Sequence, residues 1–387
     1  MSGGTAEGRA SSLGKEVAQR QQGIPVSGTR PSVWERMRAG RMPPGLLFAL
    51  LALMLVVLLA VAAGSGAYPI SPGRIVAILL AKMGWTQGGY EPQEMGVLWT
   101  LRLPRVLLGV AVGALLGMAG ATLQGLFRNP LADPSLIGVS SGAALAVALT
   151  VVFGNLWWPG LARALGLALL PVAAFSGGVL TTMLVYRIGR TSLGVSVAAM
   201  LLAGIALNAI ALALIGLASY MATDEQLRNI MFWNLGSLAQ ASWPVVGVVA
   251  AVGAVAAAGM WRLRSGLNAL ALGEAEARHL GVAVERLKAW AVLSSALAVG
   301  MAVAFCGIIG FLGLVAPHCI RLVAGPDARV VLPGAALLGA TLTVAADLAA
   351  RTAVAPAEMP IGVLTALIGA PFFLFLLLRA KNRMAEG

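Results

Sequence analysis

Ten apolar stretches fill this chain between Leu46 and Arg379, most of them long enough to cross a bilayer, and the charged residues are confined to the connections between them. A run of about 20 apolar residues matches the hydrocarbon thickness as a helix, in which each peptide group finds its hydrogen bond within its own segment. Barrel strands would alternate apolar and polar residues, and these runs do not. Hydrophobic residues make up 59% of the chain and charged residues 11%. A soluble domain carries about 25% charge, so lipid must serve as solvent. The expected fold is an all-α polytopic membrane protein with about ten transmembrane helices.

The spacing predicts spans over 46–63, 104–126, 136–153, 167–187, 195–220, 243–261, 289–309, 311–323, 330–350 and 360–379. The eighth is short, and Pro317 with the glycines before it suggests a broken or partly re-entrant element, tolerated only where protein surrounds it. Residues 1–45 are rich in Ser, Gly, Gln and Arg and read as a disordered cytoplasmic tail. A secretory signal would place its basic region directly before a short apolar one, so 46–63 is read as a retained helix at the start of a membrane domain, 46–379. Residues 380–387 form a short C-terminal tail on the cytoplasmic side.

Lys and Arg accumulate in cytoplasmic loops. With the N-terminus inside, 20 basic residues fall on the cytoplasmic side and 7 on the other: Arg74, Lys82, Arg102, Arg105, Arg163, Arg228 and Arg351. The split supports an even number of spans with both termini cytoplasmic. It also accounts for the net charge of +12 without a nucleic-acid partner.

Cys306 and Cys319 lie in apolar surroundings without the paired spacing of a metal site, and His279 and His318 cannot form a cluster, so no metal site and no catalytic centre are expected. There is no phosphate loop ending in Gly-Lys-Ser/Thr, so the chain itself is not expected to hydrolyse ATP. An ion-coupled carrier would hold acids in mid-span. Only Asp347 lies within a span, near its outer end, and its i, i+4 spacing to Arg351 points to an ion pair. Energy from an external ATPase is the remaining option. A purely structural membrane scaffold would leave the outer arginines and the inner loop described next without a reason.

The longest internal cytoplasmic connection, 264–288, interleaves Leu270, Leu272, Ala275 and Leu280 with Glu274, Glu276 and Arg278, punctuated by Gly273 and Gly281. Two short amphipathic helices on the membrane face would present one apolar and one charged side to a partner. Acidic Glu274 and Glu276 argue against a simple lipid-surface helix, since anionic headgroups repel them. Within the second span, Gly109, Gly113, Gly117 and Gly120 make a small-residue stripe that predicts close helix packing.

Several motifs in order carry a family resemblance: Leu101-Arg-Leu-Pro-Arg105; Leu123 to Pro134 with Gly138-Val-Ser-Ser-Gly142; the loop Leu267 to Gly281; Gly310 to His318 with Arg321; and Glu358 to Gly362 through Gly369-Ala-Pro371. Together they resemble the permease subunits of ATP-binding-cassette importers for iron chelates, haem and cobalamin. The resemblance implies a bacterial inner-membrane, multi-pass permease working as a homodimer. It also implies two ATPase subunits that bind the ATP and Mg, and a periplasmic binding protein on the outer face.

The same resemblance implies residue roles. Arg102, Arg105 and Arg351 would receive carboxylates of the binding protein, the fixed fork of Arg suiting that task; snorkelling to headgroups is the rival role. Leu267, Leu270, Leu272, Gly273, Glu274, Glu276, Arg278, His279 and Gly281 would couple to the ATPase. Asn129 and Leu131, with Val197 and Ala198, would form the cytoplasmic gate; an ordinary tight turn is the plainer reading of 128–134. The stretches Met200 to Asn208, Asp224 to Ser237 and Ala355 to Pro360 look most like the haem branch, with iron-siderophore and cobalamin import as neighbours. Met200, Asn208, Tyr220 and Met221 offer a largely apolar lining past which a flat macrocycle could slide without being gripped. Haem would be cargo, and no cofactor is expected to be bound by this chain.

Overall fold

The computed structural model describes residues 41–66, 68–85, 88–192, 194–354 and 357–385. The tail expected over 1–45 lies outside them as far as residue 40, as do Ala355 and Pro356 of the last motif. Each predicted span is found as a helix, and the first begins where Pro44 stands in the opening turn, a position at which its missing N–H costs nothing. Helix α1 is Pro44–Gly64, α2 Pro72–Lys82 and α3 Pro92–Gly96. A π-helical segment, Val97–Arg102, leads from α3 into α4, Leu103–Leu126. A 3-10 turn, Pro134–Ile137, capped by the Asp133 carboxylate, precedes α5, Val139–Trp157, and α6, Pro159–Leu165.

Helix α7, Leu169–Gly189, closes on a two-stranded antiparallel hairpin, β1 Arg190–Thr191 and β2 Gly194–Val195, with Arg190 opposite Val195. Ser196 caps α8, Val197–Met221, accepting from the Ala199 N–H, and Thr223 with Gln226 forms a reciprocal capping box for α9, Asp224–Leu235. Then come α10 Trp243–Arg262, the short α11 Arg264–Leu270 and α12 Glu274–His279, α13 Val284–Cys306, α14 Leu312–Ala324, α15 Ala328–Thr352 and α16 Ile361–Ala385. Among the described residues eight helical stretches have span length and apolarity, and α14 and the Ile361–Phe375 part of α16 supply two shorter apolar ones. The last helix carries the chain through much of the expected tail, to Ala385.

The most deeply buried spans are α4, α13 and α15, whereas α1, α7, α8 and α10 keep broad apolar faces outward. The centre depends on the absence of side chains. A Cβ at Gly117 would overlap the Ala335 carbonyl, one at Gly113 the Gly339 carbonyl, and one at Gly120 the Gly313 carbonyl. Without a hydrophobic drive between helices in lipid, such close backbone approach supplies the packing energy. The stripe is thus an α4–α15 and α4–α14 interface over Gly113, Gly117 and Gly120, while Gly109 meets the Leu238 side chain.

The eighth span is broken as expected, at the glycines before it and not at Pro317. Helix α14 runs unbroken through that proline. The carbonyl that Pro317 deprives of its i+4 donor, that of Gly313, lies against Gly120, where a bare backbone can approach it. The break lies earlier, over 307–311, where Phe311 has φ 66°. Protein surrounds it: the Ser237 N–H donates to the Cys306 carbonyl at 2.8 Å, and Gly236 and Gly362 both back onto the Ile308 carbonyl.

Candidate functional site

Three regions hold the residues that the sequence singles out: the outer arginine cluster, the cytoplasmic loop, and the surface of α8. In the outer cluster the C-terminal carbonyls of α1 lack helical donors. Arg102, at the end of the π-helical segment, donates to Ala63 O at 3.0 Å and Gly64 O at 2.9 Å, and also to Tyr68 O. Arg351 of α15 donates to Ser65 O at 2.7 Å and to Ala62 O. Two guanidinium groups from distant helices therefore cap α1, where cations also suit the negative end of the helix dipole. Arg105 makes a different set of bonds: its Nε reaches Asp347 Oδ1 at 2.9 Å and its Nη1 both Glu358 oxygens at 2.9 Å.

This arrangement bears on two expectations. Arg102, Arg105 and Arg351 do not make an exposed basic patch; Arg102 is buried, and all three are already bonded within the chain. The physical reason is the supply of orphan carbonyls at the end of α1 and of the Asp347 carboxylate, which satisfy the guanidinium donors locally. Asp347 forms the expected i, i+4 ion pair with Arg351 at 3.7 Å, and it takes its hydrogen bond from Arg105 in addition. Beside the cluster, Arg74 of α2 pairs with Glu94, a bond that pushes the Arg74 pKa further up.

On the cytoplasmic side the expected pair of short helices is present as α11 and α12, separated at Gly273, whose φ of 128° an L side chain rarely adopts. Leu267, Leu270 and Ala277 turn into the protein. Leu272 and Leu280 stay 61% and 64% exposed, and Glu276, Arg278, His279 and Gly281 are exposed beside them. Glu274 is half-buried and accepts from Arg278 at 3.2 Å. Asn268 fixes α11 to the start of α15, donating to Asp327 Oδ1 at 2.7 Å and accepting from the Ala328 N–H at 2.8 Å.

Of the expected gate residues, Asn129 accepts from the Leu131 N–H at 2.9 Å, an Asx turn that shapes the segment after α4. Val197 and Ala198 open α8, and Ala198 is exposed. Among the described residues no hydrogen bond joins Asn129 or Leu131 to Val197 or Ala198; the structure instead brings the 3-10 turn against α8 at Gly204, which backs onto the Leu136 carbonyl. Met200 is not a lining residue. It is buried against Gly189 of α7, whose missing side chain makes the room. Asn208 is half-buried and accepts from the Ser141 hydroxyl of α5. Tyr220 and Met221 are exposed at the outer end of α8, Tyr220 at 89%, and Leu202, Ile205 and Leu212 continue an outward apolar row. Among the described residues no group of three or more His, Cys, Asp or Glu side chains stands close enough to share a metal ion.

The model of one family, the FecCD transport family, matches residues 52–379, nearly the whole of the helical domain. The chain belongs to the FecCD transport family. This FecCD member is 43% identical over 346 residues to the Hemin transport system permease protein HmuU of Yersinia pestis, covering 89% of this chain and 98% of that one. It is 41% identical over 290 residues to the Vitamin B12 import system permease protein BtuC of Salmonella typhi, covering 73% and 84%. A solved structure described as an inward-facing conformation of a metal-chelate type ABC transporter superposes with a TM-score of 0.75 at 33% identity, covering 87% of this chain and all of that one. The protein is accordingly the permease of an ATP-binding-cassette importer in the bacterial inner membrane, a transport component and not an enzyme. Its family implies ATPase and binding-protein partners.

Sequence reasoning about this FecCD permease passes over Lys288, which counts there only as one of the cytoplasmic cations. In the structure it is 2% exposed and donates to Val195 O at 2.7 Å and Glu274 Oε2 at 2.9 Å. The available signal was its place directly before the predicted span 289–309, flanked by apolar Leu287 and Ala289.

Proposed function

We propose that this FecCD permease imports haem, handed over by a periplasmic binding protein and moved by alternating access in a homodimer seated on two ATPase subunits. The observation that carries the haem assignment is the similarity to the Yersinia pestis hemin permease, which extends over 98% of that protein. The likeness to the vitamin B12 permease makes cobalamin the competing cargo. Support for a second copy comes from the outward apolar row of α8, which a partner would cover to enclose a weakly binding path past Tyr220 and Met221.

The exposed side of α12 with Leu272 and Leu280 is the surface we assign to the ATPase, and the segment 129–131 with Val197 and Ala198 remains our candidate for the cytoplasmic gate. For docking of the binding protein, Arg105 is the best placed of the three arginines, because its outer partner Glu358 is half exposed and exchangeable. Arg102 and Arg351 act in this reading by holding the end of α1 in place beneath it.

The test is ATP-driven uptake into liposomes containing this chain, its ATPase and its binding protein, offered haem, a ferric siderophore and cobalamin in parallel. Haem uptake alone supports the full reading. Uptake of another chelate keeps the mechanism and moves the cargo, whereas uptake that persists without ATP overturns the mechanism.

A further inference from the structure

We propose that Lys288 is a positioning residue that ties the cytoplasmic loop to the start of α8, so that displacement of α12 is delivered to the segment opening that helix. The inference rests on the reading of α12 as the ATPase-facing element. It adds the mechanical link from that element to the rest of the permease.

The geometry is a three-way clamp. Lys288 Nζ donates to the Val195 carbonyl at 2.7 Å and lies 2.8 Å from Glu274 Oε1 and 3.4 Å from Glu285 Oε1. Glu285 Oε2 in turn accepts from the Val195 N–H at 2.8 Å. Both backbone groups of Val195 are thus held from α13, and α12 is attached to the same ammonium through Glu274. An ammonium has three donors, and three residues receive them, which is the condition under which a buried charge is tolerated. A lysine at this depth could otherwise extend its stem to the headgroups. Arg278 and Arg286 nearby are exposed, and Lys288 is not.

The backbone is shaped around the clamp. Gly194 has φ 118°, and a Cβ there would press on the Glu285 carboxylate at 2.6 Å, so only glycine lets the hairpin come this close. Ser196, the cap of α8, follows Val195 directly, and Val197 begins the helix. At the other end of the loop, Asn268 anchors α11 to the start of α15. With α11 anchored and Gly273 between the two short helices, a push on exposed Leu280 at the far end of α12 moves that helix about Gly273. The Glu274–Lys288–Val195 bonds then carry that movement to the first residues of α8.

The experiment uses the complete transporter in liposomes, with haem uptake and ATP hydrolysis measured in the same samples and a ferric siderophore and cobalamin run alongside. Lys288→Met fills the site without the charge, and it should lower the chelate imported per ATP hydrolysed at least tenfold. Glu285→Gln keeps an acceptor for the Val195 N–H on a half-exposed side chain and should lower the ratio about threefold; it stands in should Lys288→Met fail to fold. A ratio within twofold of the native protein for the variant recovered overturns the clamp. A second readout pairs spin labels at Ala198→Cys and Ala275→Cys in a Cys319→Ser background. The native clamp should give one narrow distance population, and Lys288→Met or Glu285→Gln should at least double its width; unchanged width refutes the link. Absence of ATP-driven uptake by the native protein would sink the importer reading by itself, while the label widths still decide the clamp.

Discussion

Arg105→Met separates a structural arginine from a free docking cation. Arg105 Nε bonds Asp347 at 2.9 and 3.2 Å, and Asp347 is 3% exposed. The variant leaves that carboxylate with Arg351 Nε at 3.7 Å and no hydrogen bond from it. Removing one partner of a buried pair costs about 3–5 kcal/mol, because the other charge stays buried without compensation. The remaining attraction of Arg351 offsets part of this, so we expect a loss of about 2–3 kcal/mol, at or below the low end of that range. The bond to half-exposed Glu358 adds at most about 1 kcal/mol. Unfolding of the purified permease by a denaturing detergent in mixed micelles, followed by tryptophan fluorescence, measures the loss. Arg105→Met with Asp347→Asn should regain at least half of it, since the uncompensated charge is then gone. A cost below about 0.5 kcal/mol for Arg105→Met, or a double variant worse than the single, would refute the structural assignment and return Arg105 to a free docking role.

Gly117→Val places a side chain where the Ala335 carbonyl stands; overpacking of this kind costs about 1–3 kcal/mol or more, and we expect a sharp fall in monodisperse protein by size exclusion. Leu272→Asp with Leu280→Asp should weaken co-purification of the ATPase at least tenfold while leaving the unfolding midpoint unchanged, because both side chains are exposed; a shifted midpoint would mean they pack within the permease. Gly273→Ala forces an L residue to φ 128° and against Glu276, a strain of about 1–3 kcal/mol, and should speed amide exchange across α12 and not across α11.

Sequence reasoning reached the spans because the bilayer leaves few alternatives: every buried peptide must be satisfied within its own helix, and that requirement is written in runs of apolar residues. It placed the amphipathic pair α11 and α12 for the same reason, since their alternation of Leu with Glu and Arg is local. The unbroken passage of α14 through Pro317 and the burial of Met200 were less legible. Pro317 reads as a break in one dimension, yet Gly120, nearly 200 residues earlier, receives the carbonyl it frees. Met200 reads as a lining residue until Gly189 opens the space that takes it in.

The amino-acid sequence by itself determined that this chain is a polytopic helical membrane protein, and the order of its motifs that it is an inner-membrane permease. The spans follow from composition along the chain, because lipid admits only segments that satisfy their own peptide groups. Only the tertiary structure decided which charges are free and which are held. Arg102 and Arg351 find carbonyl oxygens of α1, and Arg105 finds an aspartate 242 positions away. Lys288 finds a backbone carbonyl 93 positions before it. A buried charge is tolerated only beside its partners, and folding alone brings those partners within 3 Å.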